Sequence, residues 1–506
     1  MKEIGQLQEQ VQQMQGQLQQ LRRENTLLRQ KLDALARRFF GKKSEQLNPA
    51  QLELLLSGLS DQLLGSEEDS EPDPPAKPKS RSKRSGNHAV RVPEDLEVVQ
   101  EVIEPELVMA QPQAWKQITQ EVSRRLDYEP GKFFWREIVR PKYVRKGQPH
   151  FPPVVAPAPA QVIEHGLATA GLLAQILLGK FAEHLPYYRQ QQIYWQRHGV
   201  WITRQQMVHW THGCVRLLSG ITDCLERQMR QKGYVQVDET PIKYQDVDLP
   251  GRCAQGYLWT ALVPGQLVIF QWHPSRAAKC LNALLGEGFE GKLQCDAYSA
   301  YPAFAQDKHA VQLFGCWSHT RRNFFQAHDQ DPKIAGWVLN HIGSLYQWER
   351  QLRESRAGPG LRSVIRCQNS QMVIQRLHRA LLKLKPKYLP QSPMGKAISY
   401  ALNHWSLLKG YVDNGEVEID TNLVENAIRP TAVGKKNWLF IGAKDAGQRT
   451  AVIYTLIENC RMHGINPYAY LKDVLERLPN TTNHGLEELT PLHWQKARNI
   501  SAVKAA

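Results

Sequence analysis

The sequence predicts a multidomain α+β protein, and three observations support this fold class. The chain has 506 residues, which is more than one hydrophobic core usually organises. A heptad pattern opens the chain, and its middle alternates short apolar strands with amphipathic helices. We therefore expect, in order, a coiled coil, a small β-rich module, an α/β core with a helical insertion, and a helical C-terminus.

Composition excludes several classes of protein. Hydrophobic residues make up 42% of the chain and charged residues 22%, which is ordinary globular usage. No run of about 18 apolar residues is present, and the Gln-rich start lacks an apolar signal core, so we expect a cytoplasmic protein without a membrane partner. The eight cysteines form no CxxC pair, which favours reduced thiols over a cysteine zinc site.

The charge of the chain indicates a polyanionic partner. Lys and Arg total 64 against 49 Asp and Glu, which gives a formal net charge of +15. A surplus of this size is typical of proteins that bind nucleic acid, although many basic proteins do not. Nucleic acid is therefore the first partner to consider.

The first segment, residues 1–45, is predicted to be a coiled coil that joins two copies of the chain. From Ile4 to Phe39 the apolar residues recur in alternating steps of three and four, without a proline. Asn25 is the polar seam residue, and a buried Asn there commonly sets the register of a parallel dimer. The alternative is an amphipathic helix packed on its own domain. The residues expected to mediate dimerisation are Leu7, Leu18, Leu21, Asn25, Leu28 and Leu32.

A linker and a small module follow. Residues 46–90 are predicted to be a helix and a disordered charged linker, because Ser66–Gly86 passes from acidic residues through prolines to Lys and Arg. Residues 91–151 are predicted to be a β-rich module, with a strand at Lys132–Val144. Pro152–Ala160 is Pro/Ala-rich and is interpreted as a stiffer linker.

Residues 161–230 are predicted to be a helical DNA-binding region, rich in Arg, Gln and aromatic residues. Its expected helices are Leu167–Leu178, His184–His198 and Arg204–Gln228.

Residues 231–335 carry the pattern of the first part of the α/β core. Strands are predicted at Tyr234–Asp238, Gly256–Val263, Leu267–Trp272, Lys292–Asp296 and Val311–Phe314, with a helix at Ala277–Leu285 before the fourth. Asp238 ends the first strand and Asp296 the fourth. This order resembles the ribonuclease H-like fold of polynucleotidyl transferases. The resemblance implies that the two strands lie side by side and that their aspartates share one site.

Carboxylates placed together suit Mg²⁺, which prefers hard oxygen ligands. Two such ions can activate an attacking oxygen and stabilise a leaving one. A third carboxylate is needed, and Glu425 is the best candidate, on a helix for which Thr421 is a plausible N-cap. Asp420 is the alternative ligand, and Glu425 with Arg429 could instead be an i,i+4 surface pair.

Four blocks of sequence together resemble an insertion-sequence 66 family transposase of the DDE type. They are Val237-Asp238-Glu239-Thr240, Cys295-Asp296-Ala297-Tyr298, Cys316-Trp317-Ser318-His319-Thr320-Arg321-Arg322, and Glu425-Asn426 with Arg429-Pro430 and Gly434-Lys435-Lys436-Asn437-Trp438. The segment Ile465–Asp473 is similar to the family's ending. The likeness covers nearly the whole chain.

The resemblance implies a catalytic, metal-binding triad of Asp238, Asp296 and Glu425 that holds Mg²⁺ or Mn²⁺ as two ions. It also implies a helical insertion at 336–415, a last part of the core at 416–464 and a helical tail at 465–506. The side chains expected to contact DNA are His319, Arg321, Arg322, Arg429, Lys435, Lys436 and Trp438. For His319, Arg321 and Arg322 the alternative is a helical packing role with the basic groups in solvent.

One departure from the family concerns cysteine. Family members usually carry a four-cysteine zinc segment ahead of the stretch that corresponds to Arg140-Pro-Lys-Tyr143, yet no cysteine precedes Cys214 here. No zinc is therefore predicted for the module at 91–151.

The sequence thus predicts a DNA transposase that cuts element ends by metal-assisted hydrolysis and joins the freed 3′-hydroxyl to target DNA. Double-stranded DNA and a second copy of the chain are the expected partners, accessory proteins of the element are possible, and the protein is expected at the nucleoid. The alternatives are a ribonuclease H-like nuclease without transposition, and an inactive or regulatory DNA-binding dimer. The coil and the net charge disfavour a sugar or phosphate hydrolase.

Overall fold

A computed structural model describes residues 131–134, 136, 142–143, 154–155, 160–164, 166–246, 248, 252–306 and 308–505. Every described residue belongs to one compact unit, Arg124–Ala506. The predicted coiled coil, its dimerisation residues, the charged linker and most of the β-rich module lie outside the described residues.

The described part begins with irregular backbone at 131–134 and 136, so the predicted strand Lys132–Val144 is wrong at those residues and is observed only at Lys142–Tyr143. Two short strands follow. β1 (Lys142–Tyr143) pairs antiparallel with β2 (Val154–Val155). The interpretation of Pro152–Ala160 as a linker is wrong at these two valines, because backbone pairing with β1 makes them a strand.

Three helices precede the main sheet: α1 (Ala170–Phe181), α2 (Tyr187–His198) and α3 (Arg204–Arg230). The predicted start of α1 at Leu167 is wrong because Thr169 caps the helix, its Oγ1 accepting from Leu172 N at 3.5 Å. The start of α2 is displaced from His184 to Tyr187, directly after Pro186. Thr203 caps α3 in the same way as Thr169 caps α1.

A five-stranded mixed sheet forms the centre. Its strands are β3 (Tyr234–Gln245), β4 (Cys253–Val263), β5 (Leu267–His273), β6 (Gly291–Gln294) and β7 (Val311–Phe314), in the spatial order β5-β4-β3-β6-β7. The first three strands form an antiparallel meander, whereas β6 and β7 run parallel to β3. Two short helices accompany the parallel strands: α4 (Lys279–Leu285) lies between β5 and β6, and α5 (Ala300–Ala305) lies between β6 and β7. The predicted strands are all present, but β3 continues seven residues beyond Asp238 and β6 ends two residues before Asp296.

Buried glutamines join the parallel strands to a later part of the chain. Gln236 Nε2 donates to Gln294 Oε1 at 2.9 Å and to the carbonyl of Asp420 at 3.0 Å. Gln294 Nε2 in turn donates to the carbonyl of Glu418 at 2.7 Å. Because both glutamines are fully buried, these bonds hold the 418–420 loop against the sheet.

A mainly helical segment follows β7 and has a hydrophobic core separate from that of the sheet. Its α-helices are α6 (Trp317–Gln326), α7 (Pro332–Glu354), α8 (Pro359–Ile365), α9 (Gln371–Leu384), α10 (Pro393–Asn403) and α11 (Trp405–Lys409). The helix expected from Gly336 begins at Pro332, because Asp331 Oδ1 accepts from Ile334 N at 3.0 Å and proline suits the first turn.

The C-terminal part is helical: α12 (Asn422–Trp438), α13 (Ala446–Met462), α14 (Pro467–Arg477) and α15 (Pro491–Ala505). α13 covers the edge of the sheet, where Asn459 exchanges hydrogen bonds with both backbone groups of Val268, and Thr455 Oγ1 accepts from Phe270 N at 2.9 Å. These side chains occupy edge groups that would otherwise be open to another strand. Among the residues described, no helix is long and apolar enough to cross a bilayer.

Candidate active site

Parallel pairing brings the two aspartates to the same level of the sheet. The β3–β6 register pairs Tyr234 with Lys292 and Gln236 with Gln294. Asp238 and Asp296 each lie two residues beyond that last pair, in the same chain direction. Alternation along a strand therefore puts Asp238 on the same face as Gln236, and Asp296 follows its strand where the β6 ladder ends.

The turn after β6 holds Asp296 in place. Its Oδ1 accepts from Tyr298 N at 2.9 Å, and its carbonyl accepts from Tyr400 Oη at 2.8 Å. Ala297, between Asp296 and Tyr298, has a φ of 67°. This left-handed conformation is unfavourable by about 1 kcal/mol or more for a residue that has a Cβ atom. The strained residue lies directly beside a candidate metal ligand.

The start of α12 sets the position of Glu425. Asp420 is buried, and its carboxylate accepts from Asn422 N at 3.1 Å and Asn422 Nδ2 at 2.8 Å. Thr421 occupies the N-cap position, but the capping hydrogen bond expected of it is absent, because its Oγ1 donates to Cys316 Sγ at 3.1 Å. Both carboxylate oxygens of Asp420 are thus occupied at the helix start, and Glu425 lies one turn further along.

Glu425 pairs with α6 and not with its own helix. Arg322 Nη2 lies 3.1 Å from Glu425 Oε2, and His319 Nδ1 lies 3.7 Å from Oε1. Arg429, which is exposed, forms no ion pair in the described part of the chain, so the alternative of an i,i+4 pair with Glu425 is not observed. The block that contains His319 and Arg322 is therefore brought to the third carboxylate.

The acidic groups repel one another. Burial, and then the negative charges of Glu239, Asp296 and Glu425, raises the pKa of Asp238 well above its usual range. The hydrogen bond from Glu239 N to Asp238 Oδ1, 2.9 Å long, opposes this shift only in part. A divalent cation would relieve the repulsion between these carboxylates. Carboxylate oxygens are ligands that Mg²⁺ and Mn²⁺ prefer.

A buried network beside Asp238 was not assigned a role from the sequence. Glu239 accepts hydrogen bonds from Tyr301 Oη at 2.7 Å and Arg276 Nε at 2.5 Å, and the Arg276 guanidinium lies 3.7 Å from the Tyr298 ring centroid. Glu239 stands directly after Asp238, where alternation points it to the opposite face of β3. The signal in the sequence that could have indicated this network is Glu239, the second acidic residue of the Asp238-Glu239 pair.

The remaining candidates for DNA contact differ in exposure. Arg321 and Lys436 are exposed like Arg322 and Arg429. Lys435 Nζ instead donates to Thr240 Oγ1 at 3.1 Å and to the Pro241 carbonyl at 3.2 Å, and burial lowers the pKa of Lys435. Trp438 is half-buried, and its buried Nε1 finds no hydrogen-bond partner within the described ranges.

The fold and the site define a mixed α+β protein with an acidic centre suited to a divalent cation, and comparison with known sequences gives its family. Residues 165–449 match the family model Transposase IS66 family, residues 455–492 match IS66 C-terminal element, and residues 27–100 match Transposase C of IS166 homeodomain. The chain belongs to the IS66 transposase family.

Three relatives come from Sinorhizobium fredii (strain NBRC 101917 / NGR234). "Uncharacterized protein y4qI" is 33% identical over 402 residues, which cover 76% of this chain and 73% of the relative. "Uncharacterized protein y4jD" is 31% identical over 495 residues, with coverage of 92% and 94%. "Uncharacterized protein y4hP" is 27% identical over 509 residues, with coverage of 94% and 90%.

Proposed function

We propose that the chain is a DDE-type DNA transposase with a ribonuclease H-like core, in which Asp238, Asp296 and Glu425 form the catalytic triad. The observation that carries the proposal is the parallel register of β3 and β6, since Asp238 and Asp296 each lie two residues beyond the paired Gln236 and Gln294. The sheet order, a three-stranded meander followed by two parallel strands, is the order that the ribonuclease H-like resemblance implies. The family membership agrees with a transposase role.

The three carboxylates would hold Mg²⁺ or Mn²⁺, and their chemistry fits these ions. Glu425 Oε1 supports this assignment, because it is buried and has no hydrogen-bond partner in the part of the chain that the structure describes, while Oε2 accepts from Arg322. When bound, such ions supply activation of an attacking oxygen and stabilisation of a leaving one on phosphorus.

The protein's own groups would do three things in this reaction. Arg322 orients Glu425 through its hydrogen bond, and with Arg321 it supplies positive charge where a DNA phosphate arrives. The turn at Ala297 fixes the direction of Asp296. The Glu239–Arg276–Tyr301 network braces the strand that carries Asp238.

In the proposed reaction, water first cleaves the phosphodiester at an element end and leaves a 3′-hydroxyl. That hydroxyl then attacks a phosphodiester of the target, so one P–O bond forms and one breaks, and the displaced target 3′-oxygen takes up a proton. Both steps use the same three carboxylates, which places the DNA ends and the target at one site.

The test is cleavage of a labelled duplex that carries the end of the encoding element, with and without Mg²⁺. We expect nicking at the element boundary, and its loss in Asp238→Asn and Glu425→Gln. Glu488→Gln is the matched control, because Glu488 is exposed and far along the chain. Unchanged nicking by Glu425→Gln would remove Glu425 from the triad in favour of Asp420. Nicking without joined products would indicate a nuclease, and salt-sensitive binding without nicking would contradict the catalytic assignment.

A further inference from the structure

Two buried atoms face each other at the Glu425 edge of the site without a hydrogen bond. Neither Glu425 Oε1 nor His319 Nδ1 has a hydrogen-bond partner among the described residues, and the 3.7 Å between these two atoms is too long for a direct bond. Glu425 Oε2 is already bound to Arg322 at 3.1 Å. An atom that bridges Oε1 and Nδ1 would satisfy both groups.

A cysteine sulfur atom also lies close to Glu425 Oε1 and His319 Nδ1. Donor atoms of Cys316, His319 and Glu425 all lie within 4.8 Å of one another. Cys316 directly precedes α6, and His319 lies in the first turn of that helix. The Cys316 side chain is held in place, since its Sγ accepts from Thr421 N at 3.3 Å and from Thr421 Oγ1 at 3.1 Å.

We propose that Cys316, His319 and Glu425 form a second cation site, distinct in chemistry from the aspartate site and suited to Zn²⁺ or Co²⁺. A thiolate is a soft donor and an imidazole a borderline one; together with one carboxylate they form a set that favours Zn²⁺ and Co²⁺ over Mg²⁺. Three protein ligands leave a fourth position open for water. On binding, the Cys316 thiol loses its proton to solvent and the sulfur–metal bond forms.

The site has a functional consequence that rests on the proposed function. Glu425 would belong to both sites, so Zn²⁺ at Cys316 and His319 draws Glu425 Oε1 away from the aspartates. Zn²⁺ thereby inhibits Mg²⁺-dependent cleavage, and the inhibition depends on a residue, Cys316, that takes no part in the reaction itself.

Titration of the full-length chain with Co²⁺ in the presence of Mg²⁺ tests the site directly. We expect an intense near-ultraviolet thiolate-to-cobalt band that Zn²⁺ removes. Cys316→Ser abolishes the band, and Cys280→Ser, the control, keeps it, because Cys280 is buried elsewhere and its Sγ already bonds to the Ser275 carbonyl. His319→Gln, which removes only the imidazole, weakens Co²⁺ binding by more than the roughly 10–100-fold that follows loss of a supporting partner.

Absence of the band in the unsubstituted chain overturns the proposal, and so does a band that survives Cys316→Ser. If Cys316→Ser does not fold, the Co²⁺ affinity of His319→Gln decides whether the site exists. An affinity equal to that of the unsubstituted chain would contradict the proposal. Asp238→Asn separates this inference from the proposed function. That variant should keep the cobalt band, whereas retained cleavage by it would contradict the triad and leave the second site standing.

Discussion

Asp238 illustrates how a single ionisable residue can oppose folding. It is surrounded by Glu239, Asp296 and Glu425, and burial with their repulsion raises its pKa. An acid whose pKa is higher in the folded state than in the unfolded state destabilises the fold when it is ionised. The destabilisation is complete above the raised pKa and disappears as pH falls towards the unfolded value of about 4.

We therefore expect Asp238→Asn to raise the melting temperature of the metal-free protein at neutral pH. Each unit of pKa shift corresponds to about 1.4 kcal/mol, and the difference from the unsubstituted chain should shrink as the pH is lowered. Addition of Mg²⁺ should stabilise the unsubstituted chain and leave the variant unchanged. Thermal melts at several pH values measure this, with the exposed Asp223→Asn as control. Equal melting temperatures for Asp238→Asn and the unsubstituted chain at neutral pH would contradict it.

At the scale of elements, a buried arginine connects the helical segment to the loop that leads into α12. Arg366 lies in a π-helical turn, Arg366–Ser370, and is fully buried. Its Nε lies 2.7 Å from Glu349 Oε1, and its Nη1 donates to the carbonyls of Tyr411, Asn414 and Val417. These carbonyls belong to the segment that precedes Asp420 in the chain. Arg366 therefore helps to position Glu425 without contacting it.

Arg366→Ala should lower the free energy of unfolding by about 3–5 kcal/mol, because Glu349 is then left buried and without this partner. The measurement is the midpoint of chemical denaturation. Arg376→Ala, an exposed arginine on the following helix, should change it little. Arg366→Met combined with Glu349→Leu should recover part of the loss, since it removes both charges. A loss for Arg366→Ala within the range of the Arg376→Ala control would show that the pair has no such role.

At the scale of the whole molecule, part of the excess positive charge lies in the stretch of chain that contains α2 and α3. No acidic residue occurs from His184 to Thr222. The arginines of this stretch are exposed, and none of them forms an ion pair with a described carboxylate: Arg189, Arg197, Arg204 and Arg216. The same stretch contains Trp195 and Trp201, which are 51% and 54% exposed and whose ring centroids lie 5.8 Å apart. Aromatic rings among unpaired arginines are typical of a nucleic-acid surface.

Substituting two of these arginines should therefore weaken DNA binding and reduce its dependence on salt. For Arg197→Ala with Arg204→Ala, the slope of log K against log salt should fall by about 2, or about 0.9 for each phosphate contact. The matched control is Arg230→Ala with Arg477→Ala, which removes the same charge from arginines paired with Glu226 and Asp473. Binding to a labelled duplex at several salt concentrations gives the slopes. Equal slopes for the two double variants would place the DNA elsewhere.

The types of element were predictable from the sequence because they depend on local periodicity and turn chemistry. The strands that carry Asp238 and precede Asp296 follow from alternating apolar residues, and the helix that carries Glu425 follows from its own pattern. The first residues of helices were less predictable where an N-cap hydrogen bond sets them, as at Thr169 and Asp331. The strand at Val154–Val155 was missed, since two residues carry no measurable period.

The sequence by itself determined the family, the order of strands and helices and the candidate acids, because motif spacing and hydrophobic period are written along the chain. Only the tertiary structure decided which side chains meet: Glu425 with Arg322 and His319, Gln236 with Gln294, and Cys316 with Thr421. Contacts of this kind join residues far apart in the chain. Their partners are selected by strand register and by helix packing around buried polar groups, and no local pattern contains that information.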